Sequence, residues 1–160
     1  MQRSAGILFF ASAVFSAVVG LSLDSAAMWR ALDGSGCRPL NASGYQQLSG
    51  IFNTDSRFTL QLACPIVDGN DLSKAGATLF VDIDQGDPSN RSWAGACTNS
   101  ENGLASTCGP SWPTAAGTGA RRIGINTNWT SSDYSYAFVS LAPAAPSGAW
   151  SGVRGYFWQN

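Results

Sequence analysis

Histidine is absent from all 160 residues of the chain. Without an imidazole there is no Ser-His-Asp or Cys-His nucleophile, no histidine-ligated zinc site and no copper site. Charge is scarce, at 12% of residues, and Lys74 is the sole lysine. The formal net charge of -1 hides no basic patch, since Arg121-Arg122 is the only adjacent basic pair. Nucleic-acid binding, which draws on clustered cations releasing counterions, is therefore not expected, and the arginine pair reads as an exposed loop. The four cysteines include no CxxC pair, so a four-thiolate zinc site lacks its framework. No capped helical pattern and no fixed-period repeat are visible, which disfavours a solenoid or a propeller. Solubility must rest on Ser, Thr, Asn and Gly, a balance that suits an exported β-protein.

Residues 1–27 read as a secretory leader, to be excluded from the fold. Arg3 supplies the positive start, residues 7–19 the apolar run, and Ser25-Ala26-Ala27 a small-residue cleavage site. The run is shorter than the roughly 20 apolar residues a bilayer span needs, so no transmembrane span is expected in the mature protein. No lipoprotein-type cysteine follows it directly. A secreted or periplasmic location follows, with an extended lead-in over 28–43 and one domain over 44–160. In an exported chain, four cysteines imply two disulfides. Three pairings are open; Cys37 with Cys64 and Cys97 with Cys108 are favoured. The first would tie the lead-in to a strand, and the second would close a Gly- and Ser-rich loop, each worth roughly 3 to 4 kcal/mol by loop entropy.

Period-2 patterning then places the strands. Residues 45–52 read as one strand, with Leu48, Gly50 and Phe52 on one face. Residues 58–67 follow with Phe58, Leu60, Leu62 and Cys64 inward, and Asn53-Thr54-Asp55-Ser56 is expected to fold the two into a hairpin. Further strands are expected over 74–84, with Leu79, Val81 and Ile83 opposite Phe80, Asp82 and Asp84, and over 92–98 and 121–130. Tyr134, Tyr136 and Phe138 stand opposite Ala137, Val139 and Leu141, and a last strand sets Val153, Gly155 and Phe157 against Arg154, Tyr156 and Trp158. Residues 99–119 read as irregular, with Cys108 as their tether. About seven or eight short strands at this rhythm predict an all-β, antiparallel β-sandwich, jelly-roll or Ig-like, stapled by the two disulfides.

The run from Cys37 through Gly50-Ile51-Phe52-Asn53 to Ala63-Cys64-Pro65-Ile66 resembles the opening of small exported bacterial proteins of unknown function. These begin with a cysteine, a Gly-x-x-Asn strand end and a Cys-Pro strand end. The resemblance covers about thirty residues and implies a two-sheet sandwich with the first two cysteines joined. It implies no activity and no site residues.

Carboxylates and aromatics carry the remaining chemistry. Asp82 and Asp84 share a strand face, about 6.8 Å apart between Cα atoms, a spacing compatible with the acid and base of a glycosidase. Two aspartates on a wet strand are also ordinary. Asp82, Asp84 and Asp87, with Asn90, offer hard oxygen ligands for Ca2+, and Asp68, Asn70 and Asp71 form a second such group; both also read as plain turns. Five of the six tryptophans fall from Trp93 onward. Trp112 in its irregular loop, with Tyr156 and Trp158 on one strand face, would make a stacking surface for sugars if exposed, and core packing if not. The reading that follows is an exported, non-catalytic β-sandwich with a binding or structural role at the cell envelope or outside the cell, its partner a carbohydrate or an envelope component, carbohydrate binding being its leading version. A carboxylate-dependent glycosidase and a calcium-binding, adhesin-like domain are the alternatives. No cofactor other than Ca2+ is implied.

Overall fold

The computed structural model describes residues 29–41, 44–66, 75–99, 106–129 and 134–159. The leader and the Asp68, Asn70, Asp71 group lie outside them. The described chain forms β1 (Trp29–Asp33), a 3-10 turn at Gly34–Gly36, β2 (Arg38–Pro39), β3 (Tyr45–Gln47), β4 (Ile51–Asn53), β5 (Leu60–Pro65) and β6 (Thr78–Gln85). It continues through β7 (Trp93–Asn99), β8 (Ser106–Cys108), β9 (Trp112–Pro113), β10 (Gly119–Asn126), β11 (Tyr134–Leu141) and β12 (Ser151–Gln159). Two antiparallel sheets result. The first runs β10-β6-β12-β4-β3, with β1 along the second half of β12; the second runs β2-β5-β11-β7-β8, with β9 on β7.

Alternation decides which side chains meet between the sheets. Leu79, Val81 and Ile83 of β6 and Ile123 and Ile125 of β10 face Leu60, Leu62 and Cys64 of β5 and Ala137, Val139 and Leu141 of β11, all buried in one core. The expected β-sandwich and both favoured disulfides are found. Cys37–Cys64 ties the residue before β2 to β5 and Cys97–Cys108 bridges β7 and β8, each with Cα atoms 4.0 Å apart. The first is wholly buried, whereas the second joins buried Cys97 to exposed Cys108.

Several expectations give way. The turn after β4 is a corner between sheets, not a hairpin, because β4 belongs to the first sheet and β5 to the second. Buried Asn53 locks that corner: its Nδ2 donates to the carbonyls of Phe58 (2.9 Å) and Ala142 (3.0 Å), and its Oδ1 accepts from Asp55 N (3.0 Å). Phe58 lies in the corner at 64% exposure, so the inward pattern starts only at Leu60. The strand expected over 45–52 is broken into β3 and β4, which pair as a hairpin. At its tip, a Cβ on Gly50 would lie 2.2 Å from the Val153 carbonyl oxygen, so only glycine lets the hairpin approach β12. In the segment read as a lead-in, β1 pairs with β12 from Trp29 against Gln159 to Asp33 against Gly155. The irregular stretch carries β8 and β9, both docked on β7.

The most consequential difference lies in β12. Val153 sits opposite Ile83 and Gly155 opposite Asp82, so Arg154 is an extra residue, a β-bulge. One inserted residue reverses the alternation beyond it. Tyr156 and Trp158 therefore join Val153 on the core side, and Phe157 turns to the outer side with Phe80.

Candidate functional site

Two of the three aromatic residues expected to bind ligand are thus core residues. Tyr156 is 2% exposed and Trp158 1% exposed, which withdraws both from any ligand surface. The Tyr156 hydroxyl donates to the Pro65 carbonyl at 3.0 Å, tying the sheets together. Burial first, and the Asp33 charge second, push its phenol up to about 12. Trp112 is 51% exposed but stands on β9 without the two companions foreseen for it.

The carboxylates do not gather. Asp82 accepts a two-pronged pair from Arg122, Nε at 2.6 Å and Nη2 at 2.8 Å, and Asp84 accepts from Arg154 Nε. Asp87 is buried in its own turn, where Oδ2 accepts from Asn90 Nδ2 (2.7 Å) and Oδ1 from Ser89 N (2.7 Å). Those bonds, Asn90's first, hold its carboxyl below the usual carboxylate range. Among the described residues no three acidic or cysteine side chains are placed to hold a metal ion, so Asp82, Asp84 and Asp87 do not make the calcium site considered above. As a glycosidase pair, Asp82 and Asp84 are each already engaged by a guanidinium.

The same groups lie on the outer face of the first sheet, around an open depression of about 450 Å³ lined by Asp82, Asp84, Arg121, Arg122 and Arg154. The rings of Phe80 and Phe157 stack at 4.9 Å with 18° between planes, and the Arg122 guanidinium lies 4.9 Å from the Phe157 centroid. Arg154 sits 6.0 Å from the Phe52 ring. A Cβ on Gly152 would meet the Phe52 ring at 2.2 Å, so this ring lies directly on the sheet backbone. Rings and charges here use one another as partners.

The second sheet presents a different outer face. Along β11, Tyr134, Tyr136 and Phe138 face outward while Ser135, Ala137 and Val139 are buried, and alternate residues of a strand lie about 6.8 Å apart. The neighbouring β5 offers only small side chains here, Ala63 opposite Phe138 and Pro65 opposite Tyr136. Past β5, Arg38 lies opposite Ala63, and Leu40 continues that pairing through its N-H to the Gln61 carbonyl (2.8 Å). Low β5 between tall neighbours leaves an open groove of about 520 Å³, walled by Tyr134 and Tyr136 on one side and by Arg38 and Leu40 on the other, with Asn99 at one end. Tyr134 is 65% exposed, and Trp93 of β7 extends the aromatic surface beyond Ser140, its partner on β11. The Tyr136 hydroxyl is fixed by Ser106 Oγ at 2.5 Å.

Sequence reasoning put Tyr134, Tyr136 and Phe138 on one face without seeing a site there, and left Arg38 in the lead-in. The signal was present: three rings alternate with Ala, Val and Leu, so the aliphatic side claims the core and the rings must face out.

No family model matches the chain, and no curated relative matches it. Among solved structures the fold is similar to that of a xylan-binding module, CBM15, with a TM-score of 0.50 and 8% identity over 83% of this chain and 96% of that one. A family two carbohydrate esterase from Cellvibrio japonicus gives a TM-score of 0.48 at 7% identity, over 84% of this chain and 34% of that one. A mutant of the family 29 carbohydrate-binding module CBM29-2 gives 0.40 at 10% identity, over 84% and 87%. At such identities the likeness is one of fold: this chain is a two-sheet β-sandwich similar in fold to CBM15, with two disulfides of its own.

Proposed function

We propose that the protein is an exported, non-catalytic carbohydrate-binding domain whose site is the groove on the second sheet. The observation that carries this reading is the row of Tyr134, Tyr136 and Phe138 beside a trough floored by Ala63 and Pro65. Aromatic faces cover the C-H surfaces of sugar rings, while hydroxyl, amide and guanidinium groups at the rim bond to sugar hydroxyls; a groove built along strands suits a chain rather than a single ring. Arg38, Asn99 and the tyrosine hydroxyls supply that rim. The fold shared with a xylan-binding module supports the class, and the two oxidised cysteine pairs support a location outside the reducing cytosol. The engagement of Asp82 and Asp84 with arginines supports a binding role over the glycosidase alternative.

Affinity electrophoresis through gels containing soluble polysaccharides, a neutral β-linked xylan and a neutral β-glucan first, tests the proposal. Retardation on at least one polymer is expected, falling at least about tenfold in affinity for Tyr134→Ala, in line with the loss of one anchoring aromatic. Unretarded migration of the wild-type chain through every polymer rejects it.

A further inference from the structure

Arg38 is the only charged residue in any strand of the second sheet among the described residues: β2, β5, β7, β8, β9 and β11 otherwise contain none. The first sheet, by contrast, pairs Arg122 and Arg154 with Asp82 and Asp84, while its Arg121 donates to the carbonyls of Ala120 and Ala116. Arg38 makes no ion pair among the described residues, and it stands exposed on the groove wall, across β5 from Phe138. We infer that the groove selects glycans carrying an anionic substituent, and that Arg38 is the residue that reads it. This rests on the carbohydrate reading above and deepens it.

The physical reason is the pairing of a lone guanidinium with an apolar surround. A guanidinium presents parallel N-H groups that match the two oxygens of a carboxylate or of a sulfate ester. Tyr134, Tyr136 and Leu40 line the same groove, so a bound chain would displace water around Arg38 and strengthen its attraction for an anion. With no carboxylate in the described strands of the sheet to compete, the ligand supplies the missing charge. A uronate and a sulfated sugar share this chemistry.

One soluble glucan prepared in three forms separates the outcomes: unmodified, oxidised at C6 to the uronate, and sulfated at C6. Binding is measured by titration calorimetry on the disulfide-intact wild-type chain and on Arg38→Gln and Arg57→Gln, with melting temperatures confirming the fold of each variant. The wild type is expected to bind an anionic form about tenfold or more tighter than the neutral one, as a charge-assisted bond gives. Arg38→Gln is expected to erase that preference, so that the anionic forms bind it no tighter than the neutral one, and Arg57→Gln, altering an exposed turn, to keep it. Preference for the uronate form names a uronate as the source and preference for the sulfated form a sulfate; both support the inference. Equal binding of all three forms by the wild type overturns the inference but leaves the carbohydrate reading standing, as does a preference surviving in Arg38→Gln. Binding of none overturns the inference, and overturns the carbohydrate reading as well where the wild type also migrates unretarded through every polymer.

Discussion

The two outer faces of this sandwich are made from similar materials and behave differently. Each carries aromatic rings and arginine: Phe52, Phe80 and Phe157 with Arg122 and Arg154 on the first sheet, and Tyr134, Tyr136, Phe138 and Trp93 with Arg38 on the second. On the first, aspartates on β6 meet arginines from both flanking strands, and the rings stack on one another or under the guanidinium groups. Its polar groups are spent internally. On the second, no acid is in register with Arg38, and the flanking β5 is too low to cover the rings. A sheet face becomes a site, in this molecule, less by what it contains than by what its neighbours leave unpartnered.

The largest expected effect separates core rings from surface rings. Trp158→Ala should cost about 3 to 5 kcal/mol, since a fully buried indole leaves both lost burial and a cavity. Tyr134→Ala, at a mostly exposed position, should stay within about 0.5 kcal/mol in a denaturant melt while weakening glycan binding. Equal stability of the two variants would mean that the bulge at Arg154 does not turn Trp158 inward.

The next effect compares the two bridges. With sequence separations of 27 and 11, the loop-entropy model gives about 3.6 and about 2.8 kcal/mol for Cys37–Cys64 and Cys97–Cys108. Accessibility separates them further, because a thiolate must reach a sulfur to reduce it, and only Cys108 is exposed. Mild dithiothreitol on the native chain should therefore open Cys97–Cys108 first, read by alkylation and peptide mass, with the melting temperature falling in two steps. Ser106, two residues before Cys108, holds Tyr136, so the first step should also weaken glycan binding. Simultaneous reduction of both bridges would erase this distinction between a core link and an edge link.

Much of this fold was legible from alternation alone. The long strands β6 and β11 were read correctly, because each is a regular two-faced strand whose aliphatic side has only one place to go. The disulfides followed from which segments needed a tether. What failed were features that a linear pattern does not encode. The corner at Asn53 looked like a hairpin turn because Asn, Asp and Ser bond backbone in either setting, and only the pairing of β4 with β12 shows that the chain changes sheets. The bulge at Arg154 was invisible, and that single residue moved Tyr156 and Trp158 from a supposed binding surface into the core. The carboxylate cluster failed because Arg122 and Arg154 lie about 40 and 70 residues further along and reach β6 only through sheet register.

The smallest expected effect on stability is the one that tests the contrast between faces most directly. Arg122 and Asp82 are both substantially exposed, at 57% and 35% of their side chains, so their ion pair should be worth no more than about 1 kcal/mol. Asp82→Asn should therefore melt close to the wild type. The substitution leaves Arg122 charged without its carboxylate partner, as Arg38 is on the opposite sheet. If pairing is what closes the first face, Asp82→Asn in an Arg38→Gln background should regain weak, salt-sensitive retention on the C6-oxidised glucan. If retention stays at the level of Arg38→Gln alone, ion pairing is not what distinguishes the faces, and the shape of the groove over Ala63 and Pro65 must account for the difference.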